Sequence, residues 1–346
     1  MRSGNFALKV ASGFLLLAST SSHAQALPAT SGFSSVVCAR QHTDAGATEI
    51  VREVFDEKFR RLSQEKLAAL AASGVTSAEF VKRNAGLKFV VCDSPGSFDS
   101  LSVAGVGVVF DVKLVGLLMA QARAIIAGAT LHQGDQLRLH RALMSEYIRD
   151  GAKRNINPIK QVRQDAVAAG TNASDYDALL RNADFQRREQ NLFLVALNFL
   201  SLHERCHFAL GHHARIDEIR KQPEVSQREP RRQLEIDADK CAMAIINADE
   251  GGFVASPIAY FGTVTVVTTQ AIVSSFDASP QTSSHPSSAV RLEKAQNQVL
   301  LFVDSTRGSD AERYRKYKAT VEATGRHMAS MLDVAESARK ARMAGR

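Results

Sequence analysis

Hydrophobic and polar positions along the chain follow a mostly helical period. Between residues 49 and 72, Val51, Val54, Phe55 and Phe59 recur at intervals that place them on one face of a helix. Residues 112–248 keep the same period, with polar breaks such as "RNINP" and "GTNAS" between the apolar segments. This pattern predicts a predominantly helical protein.

Two short segments depart from the helical period. Residues 87–92 and 104–110 are rich in valine, and the turn-forming stretch "DSPGSFDS" follows the first of them. Such segments are typical of paired strands, so we expect a small antiparallel sheet or hairpin. Together with the helices, they predict an α+β fold that is predominantly helical.

The amino terminus has the pattern of a secretory signal peptide over residues 1–26. Arg2 and Lys9 supply positive charge, an apolar run follows, and "AQA" at residues 24–26 offers a cleavage site. We therefore expect a periplasmic or secreted protein whose mature part, residues 27–346, forms a single domain. The uncharged stretch 251–276 contains several hydroxyl side chains, which favour a buried element over an integral membrane segment.

Composition limits the classes of partner. The chain has 346 residues, of which 45% are hydrophobic, so it can bury a sizeable core. Loss of Arg2 and Lys9 with the signal peptide would lower the formal net charge from +7 to +5. This mild charge, without an arginine-rich tract interleaved with aromatic residues, predicts no nucleic-acid partner.

The four cysteines suit an oxidising compartment, where an even set can pair. Cys38 and Cys92 lie in the amino-terminal half, whereas Cys206 and Cys241 lie further along the chain. We expect pairing within each half. The alternative for Cys206 and Cys241 is that both are small, buried helix residues.

The stretch "HERCHFALGH" contains an H-E-x-x-H motif on a predicted helix. Residues four positions apart differ by about 40° around a helix, so His203 and His207 project from one face and can hold the same zinc ion. Glu204 lies about 100° from His203, where it can act as general base on a water rather than as a ligand. His212 and His213 follow the motif, and we expect them to be structural or solvated.

A third ligand is available downstream, in "RRQLEIDADKCAM". Glu235 and Asp239 are one helical turn apart, so both carboxylates lie on one face. Glu235 can complete a His-His-Glu site that leaves one position open for water. Asp239 can accept a hydrogen bond from the far ring nitrogen of a ligating histidine.

These two motifs and the stretch "SSHPSSAVR" resemble the gluzincin metallopeptidases of the HtpX and CAAX-prenyl-protease type. Lit-type phage-exclusion peptidases share the metal motifs and are the alternative. The resemblance implies a zincin-like metallopeptidase core with one Zn²⁺ ion. It also implies that His285 acts at the metal, as an oxyanion donor or a displaceable ligand, and that Arg291 supports His285 or a substrate carbonyl. The alternatives are a structural histidine at a helix start before Pro286 and a surface role for Arg291.

The resemblance extends to the paired strands and leaves two segments outside it. Residues 120–188 have the pattern of a helical insertion before the metal helix, and residues 309–346 that of a carboxy-terminal helix that packs on the domain. If the second strand lies at a sheet edge, an extended peptide can pair with it. The residues predicted to bind substrate in this way are Val106, Gly107, Val108, Val109 and Phe110.

The sequence therefore predicts a zinc endopeptidase whose substrates are exported polypeptides, unfolded or misassembled. Peripheral association of the protein with a membrane complex is left open. The alternative function is a non-catalytic, zinc-retaining binding or chaperone-like module of the same fold. Intact ligands together with an intact Glu204 favour the enzyme.

Overall fold

The computed structural model describes residues 60–92, 100–103, 107–132, 134–149, 158–249, 260, 262–267, 269, 288–305 and 311–344. The signal peptide, the predicted helical positions before residue 60, Cys38, Val106 and His285 lie outside the described residues. The described backbone is predominantly helical with one small sheet, which confirms the predicted fold class. The chain divides into two compact units, one ending at Leu117 and one starting at Leu118.

In its described part, the amino-terminal unit contains two complete helices and a three-stranded sheet. Its elements are α1 (Arg60–Ala72), α2 (Ala78–Asn84), β1 (Lys88–Cys92), β2 (Ser100–Val103) and β3 (Gly107–Asp111). Ser77 caps α2 by accepting a hydrogen bond from the backbone amide of Phe80.

The predicted antiparallel arrangement of the two valine-rich strands is wrong. β1 pairs with β3 in parallel, whereas β2 pairs with β3 in the antiparallel direction, and the strand order is β1-β3-β2. Parallel neighbours need a crossover connection, and the segment between Cys92 and Gly107 is long enough to provide one. That segment also contributes β2.

The order of the strands removes the basis for the predicted substrate-binding edge. β3 is the central strand, so its backbone already pairs on both sides, and Gly107, Val108, Val109 and Phe110 are buried. A peptide cannot add to a strand that has no free edge. The expectation that β3 is an edge strand is therefore wrong.

The carboxy-terminal unit is built from helices. They are the larger part of α3 (Val112–Leu131), then α4 (Arg138–Arg149), α5 (Pro158–Ala168), α6 (Ala173–Arg181), α7 (Ala183–Ala209), α8 (His212–Arg220), α9 (Glu224–Asp249), α10 (Ser288–Ser305) and α11 (Ala311–Ala344). Residues 260, 262–267 and 269 are also helical and buried, as expected for the uncharged stretch 251–276.

The long helix α7 packs along α9 and begins at an asparagine cap. The side chain of Asn182 accepts hydrogen bonds from the amides of Asp184 and Phe185. Asparagine is a strong N-cap because its short carbonyl reaches the free amides of the first turn. The buried residues of α7 include Phe193, Leu197 and Leu200, which form its core-facing side.

Helices α11 and α3 each have buried residues. α11 packs on α10, and Val321 and Met328 are fully buried, which confirms that the carboxy-terminal helix packs on the protein. Among the described residues, the segment Lys113–Leu131 is long and apolar enough to cross a membrane. Of that segment's most apolar window, 72% is buried inside the protein, as in the core helix of a globular domain.

Candidate metal centre

The H-E-x-x-H residues lie near the carboxyl end of α7, in a part of the helix that is enclosed on all sides. His203 is 1% exposed, and Glu204 and His207 are each 5% exposed. The helical period carries both imidazoles on one face, and their Nε2 atoms are 3.2 Å apart.

Helix α9 brings the third predicted ligand to the same point. A Glu235 carboxylate oxygen lies 3.3 Å from His203 Nε2, and the other oxygen lies 3.6 Å from His207 Nε2. In the described part of the chain, these three residues form the one cluster with the spacing of a three-ligand metal site. The structure therefore brings Glu235 to two histidines that precede it by 28 and 32 positions in the sequence.

The separations between the three ligand groups suit a metal ion. Zinc bonds of about 2.0–2.1 Å in a tetrahedron place ligand atoms roughly 3.3–3.4 Å apart. The two Nε2 atoms are 3.2 Å apart, and the two Glu235 oxygens lie at similar distances, 3.3 Å from His203 Nε2 and 3.6 Å from His207 Nε2. Two imidazoles and one carboxylate leave a fourth position for water or substrate, which is the donor set of catalytic zinc sites.

Asp239 and Arg291 extend the site behind His203. Asp239 accepts a 2.8 Å hydrogen bond from His203 Nδ1, which leaves His203 Nε2 directed at the ligand cluster. Arg291 is 3% exposed and donates two hydrogen bonds of 2.7 Å to the Asp239 carboxylate. The two-pronged contact fixes the carboxylate, and the carboxylate fixes the ring.

The charges around His203 shift the pKa values of His203 and of its neighbour Asp239. Burial would lower the pKa of His203, but Asp239 and Glu235 reverse this effect and raise the pKa to about 10. Burial would raise the pKa of Asp239, but Arg291 and His203 hold the pKa at about 2. The metal-free cluster therefore has excess negative charge, which a cation can neutralise as a proton does.

His212 is the residue whose place the sequence analysis missed. It is fully buried, and its Nδ1 lies 3.0 Å from Nδ1 of His207, so the solvated alternative for His212 is wrong. A continuous helix would have rotated His212 away from His207. Gly211 interrupts that rotation with a left-handed φ of 69°, and His212 starts α8 pointing back at the site. The Gly-His pair after the motif was the available signal.

Cys206, inside the motif, forms a disulfide with Cys241 of α9, which confirms the predicted pairing. The bond joins the helix that carries the histidines to the helix that carries Glu235 and Asp239. The expected partner of Cys92, Cys38, lies outside the described residues.

The other predicted residues are distributed as follows. His213 is half-buried and its ring packs on Phe208. Glu204 is buried beside the two histidines in the same helix and does not belong to the three-ligand cluster, as a general base should not.

The fold and the donor set define a candidate hydrolytic metal centre. A family model described as Peptidase U49 matches residues 134–306, which include the whole of α7, α9 and α10. No curated protein and no solved structure matches the chain. The chain belongs to the Peptidase U49 family, which supports a hydrolase that acts on peptide bonds. Most of the segment 120–188 lies inside the matched region.

Proposed function

We propose that the protein is a zinc-dependent endopeptidase. The observation that supports this most directly is the convergence of His203, His207 and Glu235 within an H-E-x-x-H helix and its neighbour, in a chain of a peptidase family. Three side chains hold one ion, and the fourth position is open to the reacting groups.

Each residue has a separate task in the proposed reaction. His203 and His207 present Nε2 lone pairs, and Glu235 presents a carboxylate oxygen. When bound there, a zinc ion supplies Lewis acidity, which activates water and polarises a peptide carbonyl. Glu204 accepts the proton from the attacking water and returns it to the amine that leaves, so protons balance over the cycle. Asp239, held by Arg291, keeps the His203 ring in its ligating orientation.

The proposed substrates are exported polypeptides, in the periplasm or outside the cell. Two features support this assignment: the signal-like amino-terminal sequence, and a disulfide between Cys206 and Cys241 that an oxidising compartment preserves. His285 is proposed to act as an oxyanion donor or a displaceable ligand, by resemblance. We also propose peripheral association with a membrane complex and no nucleic-acid partner.

The decisive experiment is metal analysis together with cleavage of casein by wild type and Glu204→Gln. We expect one zinc ion per chain in both proteins and a loss of at least about 100-fold in turnover for the variant, because a general base contributes 10²–10⁴-fold. Glu218→Gln is the matched control, since Glu218 is exposed on α8. A wild type without stoichiometric metal, or a Glu204→Gln protein of undiminished turnover, would contradict the proposal.

The same experiment separates the enzyme from a non-catalytic module. Wild type that holds zinc but cleaves no polypeptide, with unchanged zinc content after Glu204→Gln, would favour the binding or chaperone-like alternative.

A further inference from the structure

His212 has a contact that the proposed roles of the metal ligands do not yet explain. Its Nδ1 lies 3.0 Å from Nδ1 of His207, and the two rings meet edge to face with centroids 4.9 Å apart. His207 Nδ1 is the nitrogen that faces away from the ligand cluster. His212 therefore contacts a ligand from behind, as Asp239 does for His203.

The direction of this hydrogen bond follows from the other nitrogen of His207. His207 Nε2 faces His203 Nε2 and Glu235, so it needs a free lone pair to bind a cation there. A neutral imidazole with a free Nε2 carries its proton on Nδ1. His207 Nδ1–H therefore donates, and His212 Nδ1 accepts.

The proton of His212 must then lie on its Nε2. Among the described residues, this buried Nε2 has no hydrogen-bond partner, so no contact there favours the opposite tautomer. The position of His212 in the sequence also supports its contact with His207. Gly211, with a φ of 69°, ends the path of α7 and lets α8 begin with His212 against His207.

We propose that His212 is a positioning residue that fixes His207 in its Nδ1–H tautomer and holds its Nε2 on the metal. This inference rests on the proposed function. Asp239 orients His203 through an anionic carboxylate, whereas His212 orients His207 through a neutral ring, which adds no charge to the site. Partners of this kind set ring orientation and ligand basicity.

Metal affinity tests the role with three variants of the full chain, using Co²⁺ as the probe in a chelator competition. His212→Phe keeps a ring but removes the acceptor, and we expect the dissociation constant to rise about 10–100-fold. His212→Asn restores an oxygen near the position of Nδ1 and should recover a large part of that loss. His213→Phe, at the neighbouring half-buried histidine, is the matched control and should bind like wild type. Equal losses in His212→Phe and His213→Phe, or no recovery in His212→Asn, would overturn the role.

Nitrogen-15 NMR of the metal-free wild type gives a second readout that does not depend on activity or on a folded variant. We expect His207 to carry its proton on Nδ1 and His212 on Nε2. His207 protonated on Nε2 alone would refute the role of His212, even if the chain binds zinc. Wild type that binds no divalent ion would refute the proposed function, whichever tautomer is found.

Discussion

In the described part of the carboxy-terminal unit, one buried and one partly buried pair of histidine nitrogens have almost the same separation. In the metal centre, His203 Nε2 and His207 Nε2 are 3.2 Å apart. In the second pair, Nδ1 of His140 on α4 and Nε2 of His327 on α11 are 3.1 Å apart. The distance between nitrogens therefore does not distinguish a candidate metal site from a structural contact.

The surroundings of the two pairs have opposite electrostatic effects. Burial would lower the pKa of His203, but carboxylates raise it to about 10. Burial lowers the pKa of His140 to about 3, and His327 and Arg141 add to this effect. Burial and Arg141 likewise lower the pKa of His327 to about 4, against the opposing effect of Asp135.

Hydrogen bonding in the second pair is satisfied without a cation. His140 Nε2 donates to the side-chain oxygen of Gln121 at 3.3 Å, so His140 Nδ1 accepts from His327. The Gln121 amide in turn donates to Thr269. The candidate metal centre differs from this pair in the carboxylates that contact its histidines directly, because their negative charge favours a bound cation.

Removing the carboxylate behind His203 should have the largest effect. Asp239→Asn leaves the buried guanidinium of Arg291 without its anionic partner, and we expect about 3–5 kcal/mol of lost stability. Metal affinity should fall about 10–100-fold as well. Denaturant unfolding and metal competition measure the two effects. Asp237→Asn, on the same helix, is the control. A variant as stable as the control would show that the Arg291–Asp239 contact does not stabilise the site.

Loss of the Cys206–Cys241 disulfide should weaken the candidate metal centre at His203 and His207 and leave the His140–His327 pair unchanged. The double variant Cys206→Ala, Cys241→Ala should lose about 2–4 kcal/mol of stability, because the unfolded chain gains entropy. Zinc should bind more weakly, since α7 and α9 are no longer tied. Competition with a chelator and thermal unfolding are the measurements. Unchanged zinc affinity would mean that packing alone holds the two helices together.

Acidification should destabilise the protein through the second pair of histidines. The folded-state pKa values of His140 and His327 lie below the unfolded value of 6.5, so the unfolded chain binds more protons as pH falls. Stability is thus full above about pH 6.5 and declines toward pH 4, with a slope of up to about 1.4 kcal/mol per pH unit for each extra proton that the unfolded chain binds.

Urea unfolding over this pH range gives the slope directly. His140→Gln should reduce it relative to wild type, while His132→Gln, at a half-buried histidine of the same unit, should leave it unchanged. Subtraction of the wild-type profile removes the contributions of the carboxylates. Parallel profiles for His140→Gln and wild type would contradict the assignment.

The sequence predicted the parts of the site that follow from helical periodicity. Four-residue spacing brings His203 to His207, and the same spacing brings Glu235 to Asp239, whatever the tertiary structure. The fold class was predicted for the same reason, since apolar residues recur with a helical period through most of the chain.

Features that depend on long-range pairing were not predicted. The direction of β1 against β3 is set by the path of the intervening chain, which local patterns do not encode. His140 and His327 are 187 positions apart and belong to no motif. His212 was missed because a continuous helix would place it away from His207, whereas Gly211 interrupts the helix.

Gly211 carries a consequence for reading other chains. The left-handed conformation found there costs a residue with a side chain about 1–2 kcal/mol, so glycine is favoured at that position. The ten-residue pattern H-E-x-x-H-x-x-x-G-H thus specifies the break between two helices as well as the candidate metal motif. It offers a search signature for uncharacterised sequences in which an imidazole supports the second ligand.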